Sequence, residues 1–304
     1  MKKGKVRSIY RAVPVREDGS IEVEGKYYVV GDAALLEPHL CSHIATTKQL
    51  IKAYPIFIKY VEEKTGKKVD AISVPLEDFY RSMKKGGGIV EELEEKTNKK
   101  VLPQGLTGLY ALRRKVDLPK RVLLMDAGMR TLNAAVLAGD SVEFCKSLYD
   151  EASMAVLLSY FRKQIEEKYP EVPTTRGLIE KAFEQGFFSA GFSTVELNEE
   201  KQKAIEMFTE RFVNIIEREF SNLSIPFEKV VIIGGVAHYL DEKLFEELGN
   251  IPVFVAKSEP EFLNVEGMSL MMGGGTCLDL GYGWAKYCVP GGEDAERPSG
   301  EAEG

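Results

Sequence analysis

Two stretches of this chain share one construction. In "LDLGYGWAK" an apolar strand ends at Asp279; Gly281 and Gly283 follow, then Lys286. In "MDAGMRTLNAAV" an apolar strand ends at Asp126; Gly128 and Thr131 occupy the turn, and a second apolar run follows. A tight glycine turn lets backbone N–H groups point at a phosphate with no side chain in the way. An aspartate at the end of such a strand cannot bind phosphate itself, but it can hold Mg2+ through water, and the metal offsets phosphate charge. Each Asp-x-Gly taken singly is weak evidence and reads more readily as an ordinary hairpin turn. Two of them, each behind a buried strand, favour the phosphate reading. Position adds a constraint, because the first hairpin lies within the last 30 or so residues of a 304-residue chain.

Two further elements belong beside these. "VVIIGGVAHYL" is a buried strand emptying into Gly234-Gly235, where bare backbone can lie flat against a ring or a ribose; the alternative is a strand-to-helix turn that needs positive φ. In "LPQGLTGLYAL" Pro103 ends a strand and Gln104 stands at the turn before a helix. A neutral amide there can orient a water for in-line attack on a γ-phosphate; the alternative is a solvent-facing polar residue at a helix start. No "GxxxxGK[ST]" loop exists. "KKGGGIV" lacks its spacing, and glycines 273–275 lack the rest of a dinucleotide fingerprint. "HLCSH" alternates ligand-type residues at His39, Cys41 and His43 but offers too few ligands for a metal site. His238 reads as a loop residue.

The first segments, "KVRSIYRAVPV" and "GSIEVEGKYYVVG", read as strands around a turn at Asp18-Gly19-Ser20. "TTKQLIKAYPIFIKYVEEKTG" has helical spacing, with Thr46 or Thr47 as cap, Gly66 as stop and Pro55 as a possible kink. "VDAISVPL" is a buried strand ended by Pro75. Helical stretches are expected at roughly 150–168, 175–187 and 197–220, at "DEKLFEELG" and at "EFLNVEGMSLMM". Strands alternate with helices through the second half, which gives an α/β class. With 44% apolar and 29% charged residues, and no apolar run of membrane-spanning length, a cytoplasmic protein is expected. Four cysteines at unrelated spacings fit reduced, mostly buried thiols. The net charge is −7, and the last 14 residues, "GGEDAERPSGEAEG", contribute −4 of it. The −3 left for the body does not fit a nucleic-acid groove, so no direct nucleic-acid contact is expected. The tail has no large apolar residue and is expected to be disordered.

Together the four elements resemble the actin-like ATPase superfamily, most closely ParM-type and archaeal actin-like proteins. "LPQGLTGLYAL" matches its first connecting motif, "LLMDAGMRTLNAAV" its second phosphate motif, "VVIIGGVAHYL" its adenosine motif and "NVEGMSLMMGGG" its second connecting helix. "YYVVGDAAL", from Tyr27 to Leu35, also has a counterpart there. The first phosphate motif is missing from the front and present at the back. Joining Val289 to Lys5 restores the family order, so the resemblance implies a circular permutation cut at a hairpin tip.

The implied fold is α/β, actin-like (ribonuclease H-like), with two domains around a nucleotide cleft. Residues 1–117 plus 274–290 would form domain I, 118–273 domain II, and 291–304 a disordered acidic tail. The resemblance assigns Asp279 and Asp126 to Mg2+ through water and Gln104 to the hydrolytic water. It gives Gly281, Tyr282 and Gly283, with Gly128, Met129, Arg130 and Thr131, to the phosphates. Lys286 adds charge there or faces solvent. Gly234 and Gly235 would lie against the adenosine, and Glu180 and Lys181 would contact purine or ribose. Two departures stand out: Asp150 and Glu151 replace the usual glycine-rich turn, and the second connecting helix has Gly267 in place of a simple Ala/Gly pair. The implied cofactors are ATP (or GTP) and Mg2+. The implied function is a nucleotide-dependent filament for cytoskeletal work or for plasmid or cargo segregation, with an adaptor or cargo partner and no membrane span. A non-polymerising actin-fold ATPase or small-molecule kinase, or a nucleotide-gated regulator, is the alternative. A kinase needs a carboxylate base for its substrate hydroxyl, and Gln104 suits water better.

Overall fold

A computed structural model describes residues 1–139, 141–190, 193–220, 223–240, 242–243, 245 and 251–291. The acidic tail beyond 291 and most of the expected "DEKLFEELG" helix lie outside the described residues.

The chain opens with strands β1 (Lys2–Arg7), β2 (Ile9–Val13), β3 (Ile21–Val23), β4 (Lys26–Val30) and β5 (Ser42–His43), then helix α1 (Thr47–Thr65). Next come β6 (Ala71–Val74), α2 (Leu76–Lys85), α3 (Ile89–Thr97), β7 (Lys100–Pro103) and α4 (Leu106–Arg113). The middle holds β8 (Arg121–Ala127), β9 (Thr131–Ala138), β10 (Ser141–Tyr149), α5 (Met154–Lys168) and α6 (Arg176–Gln185). After them run β11 (Phe187–Ala190), β12 (Ser193–Glu196), α7 (Asn198–Phe220), β13 (Lys229–Ile233), β14 (Val253–Val255), α8 (Leu263–Met271), β15 (Cys277–Leu280) and β16 (Trp284–Val289).

The two main sheets are built alike. One has the order β1-β16-β15-β6-β7, the other β10-β9-β8-β13-β14. In each, three strands form an antiparallel meander and two parallel strands extend it from the meander's first strand. The second sheet takes its strands in chain order. In the first, the opening hairpin β15–β16 closes the chain, and the meander's third strand, β1, begins it. Lys2 pairs with Val289, three residues ahead of the join expected at Lys5, and Met1 lies beside Gly291.

Local sequence explains the best-defined helix. Thr46 accepts a hydrogen bond from Gln49 N at 3.3 Å, while Gln49 Oε1 accepts one from Ala45 N at 2.9 Å, a reciprocal N-terminal cap. Gly66 ends the helix at φ 66°. The helix runs on through Pro55. Its buried face, which includes Leu50, Tyr54, Phe57 and Val61, supplies roughly 1.5–3 kcal/mol per large side chain, more than the ~3 kcal/mol an internal proline costs. Helices α5 to α7 fall where the apolar spacing puts them. The short hairpin β11–β12 between α6 and α7 was not legible from spacing.

The chain passes between the sheets through α4 and α8. Leu109 and Leu112 of α4 pack with Val122, Leu124 and Ile233 of the second sheet. Val265 and Met268 of α8 pack with Ala71, Leu102 and Cys277 of the first. The two helices press together at Gly108 and Gly267: a Cβ on Gly267 would collide with the Thr107 carbonyl, and one on Gly108 would meet Asn264 Oδ1 at 2.8 Å. Residues 9–43 form a separate four-stranded sheet, β3-β4-β2-β5, that packs on α1 through Ile21 and Tyr10, with Ile44 just after it in the same cluster.

All four cysteines are free thiols, and Cys277 and Cys288 are fully buried. Among the described residues no helix is long and apolar enough to cross a membrane.

Candidate functional site

The two Asp-x-Gly hairpins have one geometry. Gly281 N donates to Trp284 O at 3.1 Å, and Gly128 N donates to Thr131 O at 2.8 Å. Asp279 stands opposite Lys286 in its hairpin, and Asp126 stands opposite Asn133 in the other. The tips meet across a cleft, where a Cβ on Gly283 would lie 2.8 Å from Met129. Glycine is needed there for that close approach.

Asp279 and Asp126 are 1% and 6% exposed, and both line the cleft. Asp279 Oδ1 accepts hydrogen bonds from Ser73 Oγ at 2.5 Å and from Gln104 Nε2 at 2.6 Å. The Lys286 ammonium lies 3.3 Å from Asp279 Oδ2, so this lysine faces the cleft. Asp126 has less support. Its Oδ2 accepts a bond from Asn264 Nδ2 at 2.8 Å. Burial pushes the Asp126 carboxyl up to about 6; the Asn264 bond pulls it down, the Asp279 charge pushes it further, and Lys286 offsets part of that. Two buried carboxylates with one ammonium between them leave a site short of positive charge. A divalent cation and its water shell fit that deficit.

Asn264, at the start of α8, was not singled out from the sequence. Its Oδ1 accepts bonds from Gly105 N at 2.8 Å, Gly108 N at 3.2 Å and the Thr107 hydroxyl at 3.3 Å. One amide thus ties Asp126 to the first turn of α4 and to α8, the two crossings between the sheets. Ser73 was also missed. It is the one polar residue in the buried strand "AISV", and that break in an apolar run was the available signal.

Most of the other expected residues also converge. Gly281, Tyr282, Gly283, Gly128, Met129, Thr131, Gly235 and Glu180 line the same cleft. Three expected contacts do not. Arg130 turns outward to Asp150, at 3.1 and 2.5 Å, and to the Ala45 carbonyl at 3.0 Å. Asp150, in the segment that departs from the family's glycine-rich turn, is what holds it. Lys181 is exposed on α6, one position past Glu180, so it points about 100° away from the cleft. Gly234 lies behind Asp126: at φ 87°, a Cβ there would fall 2.5 Å from the Ala127 carbonyl oxygen. That glycine lets β13 close against β8, and Gly235 alone faces the cleft.

The same cleft is also lined by Trp284 and Lys5 from the first sheet, and by Glu180, Glu184, His238 and Tyr239 from α6 and the segment after β13. Glu180 is buried and paired with Arg7, and with Arg176 at 2.9 Å. Glu261 is bonded to His238 at 2.7 Å. Burial works against its charge, yet His238 and Lys5 hold its carboxyl down at about 2. Cys41 of "HLCSH" donates its thiol to the Ala34 carbonyl at 3.0 Å.

Two five-stranded sheets of one strand order, flanking a cleft with one aspartate from each, define the actin-like fold, and this chain has it. Solved structures agree. An archaeal actin homolog superposes with a TM-score of 0.69 at 17% identity, covering 88% of this chain and 92% of its own. A non-polymerisable quadruple mutant of pCBH ParM gives 0.62 at 15% identity, covering 89% and 96%. MreB5 of Spiroplasma citri bound to ADP gives 0.58 at 12% identity, covering 82% and 85%. No family model and no curated protein sequence matches the chain.

Proposed function

We propose that this protein is a Mg2+-dependent ATPase of the actin-like kind that assembles into filaments with nucleotide. The observation that carries the reading is the convergence of Asp126 and Asp279, one from each main sheet, with Gln104 bonded to Asp279 in the same cleft. Mg2+ bound through water to these two aspartates would offset the charge of the β- and γ-phosphates. The hairpin backbone at Gly281–Gly283 and Gly128–Thr131 would hold those phosphates from both sides, and Lys286 would add a full charge beside them. Gln104 would turn its amide from Asp279 to the attacking water. Glu180, Gly235 and Trp284 would bound the nucleoside end. With no covalent intermediate, positioning and electrostatics carry the rate.

The chain would be a circular permutant, divided at 117/118 and 273/274, with α4 and α8 as its crossings. The matched strand order of the two sheets and the meeting of Met1 with Gly291 support this. The filament reading is supported by similar structures that are themselves filaments, among them a 15-stranded ParM filament from Clostridium botulinum and a MamK double helical filament. Cytoskeletal or plasmid and cargo segregation in the cytoplasm, through an adaptor, is the role such a filament would serve. Sedimentation with ATP, with ADP and without nucleotide tests assembly. Pelleting with ATP is expected, and no pellet over a range of salt and temperature overturns the filament reading.

A further inference from the structure

Helix α4 begins without a cap of its own. Its N-cap residue is Gly105, at φ 77°, which has no side chain to accept the free N–H groups of the first turn. The acceptor comes from α8. Asn264 Oδ1 takes Gly105 N at 2.8 Å, Gly108 N at 3.2 Å and the Thr107 hydroxyl at 3.3 Å. A carboxylate oxygen would serve α4 equally well, since negative charge suits a helix N-terminus. The residue is instead a neutral amide, and its Nδ2 donates to Asp126 Oδ2 at 2.8 Å. An aspartate at 264 would turn a second negative charge on Asp126. Capping therefore explains the oxygen of this side chain, and only Asp126 explains the nitrogen. Among the described residues no other side chain donates to Asp126.

The group that Asn264 Oδ1 holds matters for the chemistry. The Gly105 N–H belongs to the same planar peptide unit as the Gln104 carbonyl. The peptide on the other side of Gln104 is pinned as well, because Gln104 N donates to Val74 O at 2.8 Å. With both flanking peptides held, the Cα–Cβ bond of Gln104 has a fixed direction, and its Nε2 reaches Asp279 Oδ1 at 2.6 Å. The turn also backs onto the other aspartate: a Cβ on Gly105 would stand 3.9 Å from Asp126 Cβ. One path of bonds thus runs from Asp126 through Asn264, the 104–105 peptide and the Gln104 amide to Asp279. It joins the two aspartates, one from each main sheet, through side chains that are themselves buried.

We propose that Asn264 is the positioning residue that sets Gln104, and with it the attacking water, against the Mg2+ held by Asp126. This rests on the ATPase reading above and names a residue that acts in the same site through its neighbours. Asn264 opens α8 and holds the first turn of α4, so the setting follows the packing of the two crossings. A shift of one helix along the other moves Gln104 relative to Asp126.

The test is a double-mutant cycle in the full chain. Asn264→Ala is made alone and together with Gln104→Ala, and each protein is read for turnover at saturating Mg-ATP, for Mg-ADP affinity and for its urea midpoint. Alone, Asn264→Ala is expected to lower turnover about tenfold or more, within the range that a misplacement of about 1 Å costs, with affinity changed less than about threefold. Beside Gln104→Ala it is expected to lower turnover less than about twofold, because no amide is left to position. The loss of midpoint is expected to be the same in both backgrounds. Asn264→Ser, which keeps a short oxygen toward α4, goes through the same cycle and is expected to regain part of the midpoint but not the turnover.

Equal factors of turnover loss in both backgrounds, or turnover that recovers in step with the midpoint, make Asn264 a helix cap only. Either result overturns the inference and leaves the ATPase standing. Failure of both variants to fold, with or without nucleotide, does the same. A wild type that releases no phosphate overturns the ATPase reading itself.

Discussion

Replacing Asp126 by asparagine should make the nucleotide-free protein more stable at neutral pH. Burial raises this carboxyl from 3.8 to about 6, net of the Asn264 bond that pulls it down and the Asp279 charge that pushes it up. Between those two values the folded protein binds a proton that the unfolded chain releases. Stability therefore falls as pH rises through that window, and above it the folded state carries the whole penalty. Two units at 1.36 kcal/mol each make about 3 kcal/mol. Asparagine cannot ionise and still offers Asn264 Nδ2 an acceptor. Water entry and relaxation reduce the gain, so about 1–3 kcal/mol is expected. Urea unfolding in a chelator measures it. The gain should be full near about pH 7.5 and fall to about a third near about pH 4.5, where the wild-type carboxyl is already protonated. Saturating Mg-ATP should reverse the order, since only the wild type gains binding energy. A variant that is less stable than wild type by the same amount at both pH values would refute the reasoning.

Gly267→Val should drive a side chain into the Thr107 carbonyl and part α4 from α8, at a cost of about 1–3 kcal/mol in the same unfolding assay; an unchanged midpoint would contradict that packing. Joining Gly291 to Met1 through a short glycine linker and opening the chain within 273–276 should give a folded protein that still binds nucleotide, as read by a thermal shift with Mg-ADP. Deleting 277–289 should abolish binding, because it removes one of the two phosphate hairpins; a shift equal to that of the full chain would disprove the assignment.

The hairpins were legible in the sequence because each is a local pattern: an apolar strand, an aspartate, then glycine. Helix α1 was legible through Thr46 and Gly66 at its ends. Asn264 was not, because its importance comes from two helices meeting, and no spacing within "FLNVEG" reports a partner about 160 residues away. Gly234 and Gly235 look equivalent as letters. Only the closeness of β13 to β8 gives the first a packing role and leaves the second in the cleft. Lys181 could have been set aside earlier. Glu180 and Glu184 lie one turn apart on the cleft face, and helical geometry carries the residue between them away from it. Arg130 was drawn off by Asp150, and that pairing depends on how the strand ends of β9 and β10 are juxtaposed.

The central claim is that Asp279 and Gln104 act on a bound nucleoside triphosphate. Phosphate release from Mg-ATP by wild type, Asp279→Asn and Gln104→Ala tests it most directly. Measurable turnover is expected in wild type, a loss of about 100-fold or more in Asp279→Asn, and slowed release with nucleotide affinity retained in Gln104→Ala. Equal turnover in all three, or none in wild type, would contradict the account.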